Sequence, residues 1–173
     1  MRIRLYSWAN IRTMPSTPII DDLLHQLGGP TADGAVLSSA DGGDRLTLRV
    51  EQVSTLAASV WELSLTTDKL AGAPMERVRE LADELSQRVN YLLEPITPIE
   101  SDAEACVVQM RSTEPDHSVE GVASYFEVLV KTGGTISLRR FEKPRGAMRK
   151  PLAMTLTKEV IGKVVADFLA AVG

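Results

Sequence analysis

Apolar residues recur along this chain with two periods, and the changes of period mark out its elements. Ile20, Leu23, Leu24 and Leu27 fall on one face of a short helix expected over residues 19–27. Pro18 suits its first position, Ser16 or Thr17 is the candidate N-cap, and Asp21 and Asp22 stand near its positive end. Gly28-Gly29-Pro30 stops it. A clearer helix is expected over residues 74–93, where Met75, Val78, Leu81, Ala82, Leu85, Val89 and Leu92 form one apolar stripe. Its opposite face carries Arg77, Glu80, Glu84, Gln87 and Arg88. A third helix is expected over residues 157–172, with Thr157 as N-cap and Val160, Ile161, Val164, Val165, Phe168 and Leu169 as its stripe.

Between the helices the period drops to two. Residues 35–39 make a short, small-residued strand candidate. Over residues 45–53, Leu46, Leu48 and Val50 alternate with Arg45, Thr47, Arg49 and Glu51, the pattern of a half-buried antiparallel strand. Over residues 60–67, Trp61, Leu63 and Leu65 share a face; the start of this strand is open, because residues 55–59 also suit a helix. Pro95 and Pro98 imply an extended connector. Strands resume over residues 104–111, with Cys106, Val108 and Met110 on one face. A polar loop is expected over residues 112–121. Strands then follow over residues 124–131, with Phe126, Val128 and Val130 on one face, and 135–141, with Ile136 and Leu138. Asp41-Gly42-Gly43-Asp44 and Thr132-Gly133-Gly134 read as hairpin turns.

Strand neighbours are joined by short turns, and no strand-helix-strand alternation runs through the chain. The expectation is therefore an α+β fold, a mainly antiparallel sheet with helices packed on it, in the order α-βββ-α-βββ-α. A single domain is expected over residues 14–173. Residues 1–13 read either as an N-terminal strand or as a leader, with Met14 an alternative start.

Composition narrows the picture. The chain has 173 residues, 44% apolar and 24% charged, which fits a globular domain and excludes wholesale disorder. Its one cysteine, Cys106, rules out an internal disulfide and reads as an inert thiol on an apolar strand face. No apolar run reaches the roughly 18 residues of a membrane span, and the expected location is cytoplasmic. Net charge is −4, but it is unevenly spread. Arg139, Arg140, Lys143, Arg145, Arg149 and Lys150 lie within twelve positions that hold one acid, Glu142. These cations either form an anion-binding surface or neutralise the acidic body of the same chain. The acidic total argues against nucleic acid as the partner.

Candidate chemistry is sparse. No dinucleotide fingerprint, phosphate loop, serine elbow or kinase motif is present. His25 reads as solvated. His117 sits among Glu114, Asp116 and Glu120, donors whose spacing matches no metal cage, so a solvated loop is expected and no metal or cofactor is assigned. Asp41-Gly42-Gly43-Asp44 lacks the ligand ladder of a calcium loop.

In element order and acidic charge the chain resembles the small α+β modules of bacterial type III secretion chaperones, which pair and hold extended client segments. Clear fold signals without catalytic ones favour, with that resemblance, a non-enzymatic protein-interaction module that binds another protein or a second copy of this chain through a sheet edge or helix groove. A binder of anionic ligands or nucleic acid through residues 139–150 is the alternative. An enzyme whose site is assembled from ordinary carboxylates is the third reading.

Overall fold

The computed structural model describes residues 17–105 and 107–173. The expectations for residues 1–13, Met14, Ser16 and Cys106 lie outside the described residues. The elements are α1 (Pro18–Gly28), β1 (Val36–Asp41), β2 (Asp44–Val53), β3 (Ala57–Thr67), α2 (Met75–Arg88), β4 (Ile96–Asp102), β5 (Val107–Ser112), β6 (Val122–Lys131), β7 (Thr135–Pro144), β8 (Lys150–Leu152), β9 (Met154–Thr157) and α3 (Lys158–Val172). A single 3-10 turn, Asp68–Leu70, follows β3. The fold is α+β, with the expected order of helix, strands, helix, strands, helix. The second strand group carries β4, β8 and β9 beyond the strands read from the sequence.

All the pairings between strands are antiparallel, in the order β1-β2-β3-β7-β6-β5-β4. The sheet is two meanders joined at β3 and β7, and that seam is four residue pairs long, from Leu63↔Leu138 to Thr66↔Thr135. Beyond it the chain fills the line with one extended segment: β8 pairs with β7, and β9 pairs with β3. Thr67 N–H donates to the Gly134 carbonyl at 2.7 Å beside the seam. A Cβ on Gly134 would stand 2.2 Å from the Thr67 oxygen, and φ there is +91°, so this close approach requires glycine.

One face of the sheet carries the core. Leu46, Leu48 and Val50 of β2 are buried, as are Leu63 and Leu65, Val108 and Met110, Phe126, Val128 and Val130, and Ile136 and Leu138. All three helices pack on that face, with α3 between α1 and α2. Phe168 of α3 is fully buried. The Thr157 hydroxyl accepts the Val160 N–H at 3.2 Å and caps α3 as expected. Thr17 holds the N-cap place of α1, but its hydroxyl makes no capping bond; its carbonyl takes the Ile20 and Asp21 N–H groups instead.

Several boundaries differ from expectation for identifiable reasons. Helix α2 ends at Arg88 rather than 93, although Val89 and Leu92 stay buried. The Val89 N–H closes the last turn on Leu85, and the Asn90 side-chain amide donates to the Gln87 carbonyl, so the backbone leaves the helix there. Trp61 does not share the buried face of Leu63 and Leu65, because β3 is paired out of step around it: Glu62 faces Arg49, and Val60 faces Val50. One extra residue flips the parity, so Val60 and Ala58 take the core places. The expected connector at Pro95 and Pro98 is the edge strand β4, where a proline is tolerated and the pairing is irregular between Pro98 and Glu100. At the other edge, the Gln26 amide donates to the Ser38 carbonyl of β1 at 3.0 Å.

Candidate functional site

The basic residues of 139–150 do not all lie on one face. Alternation along β7 sends Arg139 to the face away from the helices and Arg140 to the helix face. On the outer face a row of opposite charges crosses the strands. Arg49 of β2 lies 3.9 Å from Glu62 of β3, and Glu62 lies 2.6 Å from Arg139 of β7. Arg139 is paired in register with Glu127 of β6, and Glu127 with Arg111 of β5, at 3.7 Å. Glu127 is only 3% exposed. Its carboxylate also takes the Gln109 amide and the Arg149 guanidinium, each at 2.5 Å. Burial opposes the charge on Arg149, but hydrogen bonds to Glu127 and Tyr125 outweigh it and hold its pKa above the ordinary arginine value. The Arg149 guanidinium lies 4.2 Å over the Phe141 ring, Phe141 stacks on Tyr125, and Arg111 covers Tyr125 from the other side. Lys150 pairs with Glu142 at 2.8 Å. Lys143 and Arg145 are exposed and form no ion pair among the described residues.

On the helix face Arg140 belongs to a cleft of about 620 Å³. Its walls are the segment from Tyr91 to Glu94, the loop residues Glu114 and Asp116, Phe126 and Arg140 of the sheet, and Thr155, Leu156, Thr157 and Val160, where β9 turns into α3. The cleft lies where β3 and β7 part and β9 takes over the pairing. Phe126 and Arg140 face each other in register, and the guanidinium sits 4.4 Å over the ring. It bonds Glu94 at 2.8 Å and lies 3.6 Å from Asp116.

The segment that carries Glu94 is held at its start. The Tyr91 hydroxyl donates to Asp167 at 2.8 Å, and the Lys163 ammonium lies 3.9 Å from the centre of its ring. Burial, then the Asp167 charge and hydrogen bond, push the Tyr91 hydroxyl far above its usual pKa, so it stays protonated as a donor. Two residues on, Leu93 is 96% exposed and has φ +66°, an uncommon conformation for a residue with a branched side chain. Glu94 is 9% exposed, and its Oε2, opposite the oxygen held by Arg140, has no hydrogen-bond partner among the described residues. A buried carboxylate oxygen without a donor is costly.

The third wall is the loop before β6. The Asp116 carboxylate takes the Ser118 backbone N–H at 2.8 Å and the Ser118 hydroxyl at 3.1 Å. These bonds, with Arg140 and His117 nearby, hold its pKa below the usual carboxylate range. The Asp116 and Ser124 backbones bond each other, which fastens the loop to β6. The cleft therefore presents Glu94, Glu114 and Asp116 against one cation, Arg140, above an apolar floor of Leu92, Phe126, Leu156 and Val160.

Of the six basic residues singled out in the sequence, only Arg140 reaches this cleft. His25 lies exposed on α1, and His117 is exposed in the loop. The described residues contain no group of three or more His, Cys, Asp and Glu side chains placed to hold a metal ion. Among them, no helix is long and apolar enough to cross a membrane. Sequence reasoning missed Glu94, whose one signal was its place between a helix stripe and Pro95. The chain matches no protein-family model, no curated protein and no solved structure.

Proposed function

We propose that this chain is a binding module that takes a short segment of another protein into the cleft, with a lysine or arginine of that segment directed at Glu94. The observation that carries the reading is the free Oε2 of Glu94, buried in the cleft wall with its other oxygen already held by Arg140. A cationic N–H donor entering from the cleft would satisfy it, and charge-assisted bonds of that kind are the stronger ones. The three carboxylates against one guanidinium favour a cation. The apolar floor suits a flanking aliphatic side chain, and exposed Leu93 would be covered on binding. The described residues lining the cleft include no histidine or cysteine that would pair as base and nucleophile.

The test is a titration of the protein with a short peptide of alternating leucine and lysine, followed by amide shifts of Leu93, Glu94 and Val160. A leucine–glutamate peptide of the same length is the comparison. Saturable binding of the lysine peptide alone, weakened at least tenfold by Glu94→Gln, is the expected result. Equal binding of both peptides, or binding untouched by Glu94→Gln, overturns the reading.

A further inference from the structure

Intramolecular pairing leaves two of the six clustered cations, Lys143 and Arg145, without a carboxylate, and both line the same surface dish. This dish of about 310 Å³ lies at the open end of the β6–β7 pair, and its other walls include His117, Gly121, Pro144 and Gly146. We propose that it is a binding site for a phosphate group, held by the Lys143 ammonium, the Arg145 guanidinium and a ring N–H of His117.

The geometry is built from backbone contacts. Lys143 is paired in register with Ala123, and Pro144 with Val122, so the floor is fixed by the sheet. The Arg145 N–H donates to the Gly121 carbonyl at 2.7 Å, which ties the turn after β7 to the loop before β6. Gly121 and Gly146 both have positive φ, +73° and +75°, and open space lies where a Cβ would stand. No side chain therefore fills the dish from either turn. The three groups have different donor shapes. An ammonium is a point charge, a guanidinium is a planar fork that takes two oxygens, and an imidazole is a single directed donor. A tetrahedral oxyanion can accept from all three at once.

The charges near the dish are arranged to leave it positive. No carboxylate lines it. The Asp116 carboxylate, one residue from His117, is turned to Ser118 and towards Arg140 of the cleft. Glu142 is held by Lys150. The loop thus offers an acid to one side and a base to the other at consecutive positions. This site is independent of the peptide-binding reading, because the two share no residue.

Inorganic phosphate and O-phosphoserine are the probes, titrated at low ionic strength with amide shifts followed by nuclear magnetic resonance. Saturable shifts confined to His117, Gly121, Ala123 and Gly146 are expected. The double variant Lys143→Ser/Arg145→Ser should lose at least tenfold in affinity. The control Lys131→Ser/Lys158→Ser, which removes two cations elsewhere, should keep it. Tighter binding of phosphoserine would mark a phosphate ester as the ligand, and equal binding the free ion. Shifts that do not saturate, or an equal loss in the control, would mean general screening and overturn the site. Should the double variant unfold, His117→Ala gives the same reading without touching the strand, and unchanged affinity there also overturns it.

Discussion

Arg149, outside the strands and with more than half of its side chain covered, closes over the nearly inaccessible carboxylate of Glu127 at 2.5 Å. Arg145, four positions earlier, touches no carboxylate. Charge reversal should separate the two. Arg149→Glu sets a second acid beside a buried one and should cost about 2–4 kcal/mol. Arg145→Glu should stay within about 0.5 kcal/mol of the parent. Urea titrations of both variants decide it, and equal losses would mean that the 139–150 stretch acts as one surface.

Gly134 offers a cleaner contrast with its neighbour. Gly134→Ala places a methyl group on the Thr67 backbone at a positive φ and should cost about 2–4 kcal/mol. Gly133→Ala meets nothing within 4 Å and should change little. Thermal unfolding of the pair checks both.

Leu93 holds backbone strain with almost no packing in return. Leu93→Gly should therefore stabilise the free protein by about 0.5–1 kcal/mol. The same change should weaken the lysine peptide in the cleft, a gain of stability at the expense of binding. A destabilised Leu93→Gly protein would show that the exposed side chain packs in solution.

Asp116 gives a pH dependence of known sign. Its folded pKa is depressed, so its contribution is present above the ordinary aspartate value of about 3.9 and fades as pH falls through the lower folded value. The stability gap between the parent and Asp116→Ala should be level near neutrality and narrow in acid. A gap that stays level down to about pH 2 would contradict the bonds from Ser118.

Leu85 is buried at the middle of the α2 stripe, whereas Glu80 on the other face only reaches Arg77 at 3.7 Å. Leu85→Ala should cost about 2–5 kcal/mol. Glu80→Ala should cost about 0.5 kcal/mol or less. Chemical denaturation of the two variants measures the difference.

How far these features can be read from sequence depends on how local their causes are. Leu46, Leu48 and Val50 announce β2, and Val78, Leu81 and Leu85 announce α2, because burial repeats at a fixed step there. Trp61 misleads because its parity is set by a register shift against β2, which depends on a partner strand. Strands β4, β8 and β9 carry Pro98, Pro151 and short polar runs; they exist because longer strands supply their pairing. The site was less legible still. Arg140 and Arg139 are adjacent and look alike, yet one reaches Glu94 and the other Glu62 on opposite faces. Charge clustering along a strand hides which face each charge will serve.

The four-pair seam between β3 and β7 also shapes how the chain reaches this structure. The residues it joins lie about seventy positions apart, whereas the connections inside each meander run from two residues, between β1 and β2, to nine, between β5 and β6. Local hairpins form in microseconds, but the seam must wait for two partly ordered halves to meet. Met154 to Thr157 join the same edge of β3 as β7 does, at Ala57 to Val60. The walls of the cleft come from both sides of that join, so the cleft is complete only when the two meanders are docked. A substitution that parts the two meanders therefore removes the cleft as well.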